Sequence, residues 1–160
     1  MPRIVLFQPQ IPPNTGNVAR TCAATGTSLH LIEPLGFSLD DRQLKRAGLD
    51  YWPLVDLHRH PSWDSFRTHQ QRQGGRLLAL SSHAETAYSD FAFADNDWLL
   101  FGRESDGLPD AVRLDADDCL VIPMRHARRL QQPGVRSLNL SVSAAVVLFE
   151  ALRQINSQTP

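Results

Sequence analysis

Sulfur is scarce in this chain and lysine nearly absent: 160 residues include two Cys, two Met and, among sixteen cations, the single lysine Lys45. Cys22 and Cys119 lie far apart with no Cys-x-x-Cys pair, which excludes a disulfide scaffold and the common zinc frameworks. Two isolated thiols read as buried groups of a reducing compartment, so a cytoplasmic protein is expected. Long apolar runs are missing as well. The runs at 4–7 and 144–149 are too short for a signal peptide or a membrane span, and no membrane partner is expected. The sequence has no Gly-x-Gly-x-x-Gly, no Gly-x-x-x-x-Gly-Lys-Ser/Thr and no Gly-x-Ser-x-Gly. The usual dinucleotide fold, the phosphate loop and the hydrolase elbow are thereby set aside. His58 and His60 alternate without a third ligand at a metal spacing, so they read as surface histidines and no metal is expected.

What remains is an ordinary globular composition, 42% apolar and 21% charged. At ~150 residues per domain the chain makes one domain, residues 1–156, with a short tail at 157–160. The net charge of -1 hides an uneven distribution. Residues 42–76 hold seven basic and three acidic groups, 84–118 two basic and ten acidic, and 120–136 four basic and none acidic. Two basic segments flank an acidic one. Fifteen of the cations are Arg, which suits bidentate phosphate contact, although a GC-rich genome gives the same bias without function.

The pattern of elements is alternating. A β-rich run at Arg3–Phe7 leads through Pro9, Pro12 and Pro13 to Asn14, placed as a helix N-cap ahead of Val18, Ala19, Cys22 and Ala23. Further strands are expected at Leu29–Ile32, 54–57, Leu77–Leu80, Trp98–Phe101 and 119–122, with helices at 40–47 and 62–71. Short apolar strands between helical segments imply a parallel sheet covered on both faces, hence an α/β layered domain. In the last helix Leu140, Ala144, Leu148, Leu152 and Ile155 form one stripe, while Val142, Val146 and Phe149 occupy other faces. A helix apolar nearly all round is buried on more than one side, within its own fold or against another subunit.

Three constellations can carry chemistry. Asn14, Thr15, Gly16, Asn17 and Arg20 follow the first strand, where α/β folds build ligand sites from loops and helix amino ends. An Asn cap with a solvated Arg accounts for the same residues without a ligand. Gly102 to Pro109 follows the strand ending at Phe101: Gly102 permits close backbone approach to a ligand, Gly107 a positive φ, and Pro109 can open a helix, with Glu104 held at the mouth of the sheet. An ordinary turn with an exposed acid is the alternative. Arg136, Ser137, Leu138, Asn139, Leu140 and Ser141 lead into the final helix with more polar caps than one helix needs, which points to a ligand or to redundancy. Cys22, on an apolar helix face, reads as a core thiol rather than a nucleophile.

In this order the three segments resemble the motifs of the SPOUT superfamily of RNA methyltransferases, in its 2'-O-ribose branch. Asn14-Thr15-Gly16-Asn17 with Arg20 is similar to motif one, Gly102-x-Glu104-x-x-Gly107-Leu108-Pro109 to motif two, and Ser137-Leu138-Asn139-Leu140-Ser141 to motif three. Ile32-Glu33-Pro34-Leu35-Gly36-Phe37 and Arg46-Ala47-Gly48-Leu49-Asp50-Tyr51 resemble the small single-domain subgroup that methylates the wobble nucleotide of tRNA. The resemblance implies a mostly parallel sheet flanked by helices with a trefoil knot at the carboxyl end, S-adenosyl-L-methionine bound in the knot, and a homodimer. It implies a cofactor pocket of Leu80, Gly102, Ile122 and Ser137, with Glu104, Leu138 and Asn139 around it, and gives the catalytic role to Arg20. Asn14, Asn17, Arg42, Lys45, Arg46, Arg125, Arg128 and Arg129 are the expected contacts to the anticodon stem-loop.

The chain departs from the subgroup in a longer, more basic segment at 125–135, in Val142 where Asn is usual, in Phe149 where Tyr is common, and in Arg103 where Pro often precedes the motif-two Glu. Three alternatives follow: the same chemistry on another tRNA position or on ribosomal RNA, a catalytically idle knotted RNA-binding protein, and a flavodoxin-like binding domain.

Overall fold

The structure, a computed structural model, describes residues 1–40, 42–48, 51–124 and 135–158. The expected cations Arg125, Arg128 and Arg129, and Asp41 before the second helix, lie outside the described residues. Strands β1 (Arg3–Phe7), β2 (Leu29–Ile32), β3 (Leu57–His60), β4 (Leu77–Leu80), β5 (Thr86–Ala87), β6 (Trp98–Phe101) and β7 (Asp118–Val121) form one sheet in the order β3-β2-β1-β6-β4-β7-β5, with every pairing parallel. Helices α1 (Pro12–Thr25), α2 (Arg42–Gly48), α3 (Trp63–Gln73), α4 (Asp110–Leu114) and α5 (Leu140–Gln158) flank it.

The central strands are covered on both sides, so they are apolar at nearly every position rather than at alternate ones. In β1, Ile4 and Leu6 enter one core with Val18, Cys22 and Leu148, whereas Val5 and Phe7 enter the other with Phe66, Trp98 and Leu100. Each such fully buried side chain contributes about 1.5–3 kcal/mol of hydrophobic stabilisation. β1 has β2 on one side and β6 on the other, so the chain leaves its neighbouring strands in opposite directions. Such a reversal opens a crevice at the carboxyl ends of the strands.

Several local expectations shift. Asn14 does not cap α1: Pro12 and Pro13 already occupy its first turn, where a missing N–H costs nothing, and Ile11 is the cap residue without a side-chain bond. The strand expected at 54–57 is β3 at Leu57–His60, because Pro53 lies in a 3-10 turn at Trp52–Leu54. The last expected strand starts one residue earlier, at Asp118, and β5 was not anticipated. α3 opens on Ser62, whose side chain accepts the Ser65 N–H at 3.1 Å, and runs to Gln73 before Gly74 turns the chain with φ 73°. α5 extends through Gln158, two residues into the segment read as a tail. Its inner face, including Ala144, Val147, Leu148 and Ala151, is fully buried, but Val142 and Phe149 are 47% and 57% exposed. Among the described residues no helix is long and apolar enough to cross a membrane.

Candidate active site

The crevice at the carboxyl ends of β1 and β6 is closed by three segments far apart in sequence. Glu104, half-buried after β6, reaches back to the start of α1. One carboxylate oxygen accepts the Gln10 N–H at 2.8 Å, and the other accepts the Ile11 N–H at 3.1 Å and the Asn14 side-chain amide at 3.4 Å. The two backbone N–H groups stand just ahead of α1, and the negative charge of Glu104 suits the helix amino end. The Asn14 carbonyl oxygen in turn accepts the Asn139 amide at 2.8 Å. The Asn139 oxygen accepts the Ser141 N–H at 2.9 Å and its hydroxyl at 2.7 Å, which caps α5. One chain of hydrogen bonds thus joins the three segments singled out in the sequence. Asn14, expected among the RNA contacts, is 6% exposed and spends both ends of its amide inside this chain.

The loop after β6 is rigid for a second reason. A Cβ on Gly102 would lie 2.3 Å from the Gly107 carbonyl carbon and 2.4 Å from the Leu108 nitrogen. Gly102 thus packs closely against its own loop while also lining the cavity described below. Gly107 takes φ 72°, and Arg103 and Gly107 exchange backbone bonds of 3.1 and 2.9 Å. Arg103 grips Asp106 through two bonds of 2.7 and 2.8 Å, which hold that carboxyl below its usual range, and donates to Gln8 Oε1 at 2.8 Å. The two loops are pinned side by side.

Between them and α5 lies a cavity of about 460 Å³. Every residue expected around the cofactor lines it: Leu80, Gly102, Glu104, Ile122, Ser137, Leu138 and Asn139. Sequence reasoning missed Ser81, Ser82 and His83, which also line it; their signal was their position directly after β4, at the same edge of the sheet. Arg136 lines the cavity too. Arg20 does not. It stands exposed on α1 with its guanidinium carbon 5.0 Å from the centroid of the Tyr51 ring. Asn17 is exposed on the same helix, and Arg42, Lys45 and Arg46 are exposed on α2, which packs against α1.

Two other groups of reactive side chains belong elsewhere. His58 and His60 are not simply surface residues: their side chains share one face of the sheet with His30, which pairs with His58 across β2 and β3, while His60 pairs with Ile32. His30 stacks on His58 at 4.4 Å, and its Nδ1 is 3.0 Å from His60 Nε2, with His69 of α3 beside them. Burial, reinforced by the neighbouring histidines, pushes His30 down to about 2 and His60 to about 4. Among the described residues no group of three or more His, Cys, Asp or Glu is placed to hold a metal ion. Burial pushes the Cys22 thiol up to about 12, which suppresses the nucleophilic thiolate. Cys119 is half-buried rather than enclosed, and burial raises it as well.

Comparison with known proteins places this geometry among methyltransferases. The model described as the SpoU rRNA Methylase family matches residues 1–149. The chain is 49% identical over 152 residues to the tRNA (cytidine(34)-2'-O)-methyltransferase of Polaromonas sp., covering 94% of this chain and 89% of that protein. It is similar, at 48% identity and a TM-score of 0.88, to a solved structure described as "Structural insights into the 2-OH methylation of C/U34 on tRNA", with 99% and 98% of the two chains covered. A more distant likeness, 25% identical with a TM-score of 0.81, is the methyltransferase AviRb of Streptomyces viridochromogenes in complex with AdoMet, covering 96% of this chain and 60% of that one.

Proposed function

The chain belongs to the SpoU rRNA methylase family, and from that premise we propose that it transfers a methyl group from S-adenosylmethionine to the 2'-hydroxyl of the wobble nucleotide, cytidine or uridine, of tRNA. The observation that carries this reading is the hydrogen-bonded chain from Glu104 through Asn14 to Asn139, which fastens three segments around one cavity. The cavity suits an amphipathic cofactor. Its volume of about 460 Å³ falls in the ~300–1,000 Å³ range of small-molecule sites, and Leu80, Phe101, Ile122 and Leu138 offer apolar wall for an adenine ring. Ser137, Asn139 and the backbone at Gly102 offer polar groups for the ribose and the amino-acid end. When bound, S-adenosylmethionine supplies a methyl group on a positively charged sulfur, an electrophile for a ribose oxygen.

The chain's own residues then bind and orient the RNA. Arg20 is permanently protonated and therefore unsuited to act as a base. Its guanidinium binds the phosphate beside the target ribose and sets the 2'-hydroxyl within attacking distance, while a phosphate oxygen or a water takes the proton. Arg42, Lys45 and Arg46 extend the cationic surface from α2, and Arg125, Arg128 and Arg129 add charge before the third motif, for the phosphates of an anticodon stem-loop. The exposed Val142 and Phe149 on α5 support a homodimer packed through that helix, and with it an active site shared between subunits. A carboxyl-end trefoil knot, a single domain and a cytoplasmic location complete the reading.

The test is methyl transfer from labelled S-adenosylmethionine to total tRNA by the purified protein, followed by nucleoside digestion and mapping. A 2'-O-methylated pyrimidine confined to position 34 is expected. Transfer to ribosomal RNA instead would move the substrate and keep the chemistry. Transfer to neither, with cofactor binding intact in calorimetry, would point to an idle RNA-binding protein.

A further inference from the structure

Five arginines lie over an aromatic ring, and three of them, Arg67, Arg76 and Arg103, also pair with a carboxylate, whereas among the described residues Arg3 and Arg20 do not. Arg59, Arg67, Arg76, Arg103, Arg113 and Arg153 each pair with a carboxylate. Arg20 forms no ion pair among the described residues, and its guanidinium lies over the face of Tyr51. The difference matters chemically. A carboxylate partner occupies the N–H groups along the edge of a guanidinium and cancels its charge. An aromatic face attracts the cation through the ring and leaves the five N–H donors free for a phosphate.

We propose that Tyr51 is the positioning residue for Arg20, holding the guanidinium by the face of its ring so that the edge stays open for an RNA phosphate. The inference deepens the reading above and rests on it for the role of Arg20. Tyr51 is built to stay put. Its carbonyl accepts the Leu54 N–H at 2.8 Å and closes the 3-10 turn at Trp52–Leu54, which packs against α1. The next residue, Trp52, packs into the main core, while Tyr51 itself is 36% exposed. A fixed backbone thus carries a ring on the surface beside a flexible arginine. Without the ring, Arg20 regains its rotamers and reaches the productive one in a smaller fraction of complexes.

The test compares Tyr51→Phe and Tyr51→Leu in steady-state methyl transfer to tRNA, with cofactor affinity and thermal melting measured for each. Tyr51→Phe keeps the ring face and should retain kcat within about twofold, whereas Tyr51→Leu should lower kcat ~5- to 10-fold. KM for tRNA, affinity for S-adenosylmethionine and Tm should stay unchanged in both. In an Arg20→Lys background, Tyr51→Leu should have a smaller effect than in the native chain, as expected for two residues acting together. The ¹⁵N relaxation of the Arg20 Nε should report lost order in Tyr51→Leu and not in Tyr51→Phe. Equal losses in Phe and Leu, an effect confined to KM, or a Leu variant as active as the native protein would overturn the proposal. A native protein that methylates no RNA would sink the reaction instead, and the Nε relaxation would still judge the contact by itself.

Discussion

On the side of the sheet covered by α1 and α5, polar side chains from three distant segments bond to one another and border a cavity. On the α3 side, His30, His58, His60 and His69 stack among themselves beside Phe66 and Trp98. Both groups hold buried polar atoms, yet they differ in what those atoms face. Glu104 is met by N–H donors from the backbone and from Asn14. His30 and His60 meet mainly other histidines and aromatic rings, so their neutral forms are the ones that fit, whereas His58 at the margin lies 3.0 Å from Asp56. The first arrangement borders the candidate site and the second is packed between the sheet and α3.

The strongest way to break this comparison is at Arg20. Arg20→Ala should lower methyl transfer by ~1,000-fold or more while cofactor affinity and melting temperature stay unchanged, because the side chain is exposed and outside the cavity. Calorimetry beside the activity assay checks this; weakened cofactor binding would show that Arg20 belongs to the pocket. Glu104→Gln should affect both function and fold. An amide facing the Gln10 and Ile11 N–H groups cannot accept from all of them as a carboxylate does, so we expect ~10- to 100-fold lower activity. About 1–3 kcal/mol of stability should go with it, read by urea denaturation.

The histidine side predicts a stability change without an active-site signature. Folded His30 and His60 titrate at about 2 and about 4, below the ~6.5 of an unfolded chain. Between those values and pH 6.5 the unfolded chain binds protons that the folded chain refuses. Stability is therefore full above pH 6.5 and falls as the pH drops through 6 toward 4. Denaturation curves from pH 8 to 5 should show this decline, and a double His30→Gln, His60→Gln variant should flatten it. The smallest effect is expected at His69, partly exposed at the margin of the cluster. His69→Gln should change stability at pH 7.5 by about 0.5 kcal/mol or less and leave methyl transfer untouched, and a large loss of activity there would erase the distinction between the two sides.

How much of this was readable from the sequence depended on distance along the chain. β1, β2, β4 and β6 were legible to the residue because a strand covered on both faces is largely apolar, Arg3 at the start of β1 and His30 in β2 being the exceptions. β3 was not, since its Leu-His-Arg-His run is polar and its burial depends on His30 in another strand. Asn14 looked like a helix cap because cap preferences describe one residue and its near neighbours. Its actual partners lie 90 and 125 positions away. The motifs marked which segments matter, but which side chain bonds to which was decided by the closing of the sheet.

The bond between Asn14 and Asn139 also has a consequence for how the protein comes into being. A ribosome delivers the first residue of that pair long before the second, and Glu104 arrives between them. Until the final helix emerges, α1 has at most part of the clasp that secures its opening turn. Pairing of β1 with β6 likewise waits for nearly a hundred residues of intervening chain. Contacts of such range slow folding, because the entropy of closing large loops is spent before they are rewarded. A nascent chain that has not yet delivered Asn139 would thus hold the strands of the sheet without a closed cavity, which becomes complete only once the start of α5 has emerged.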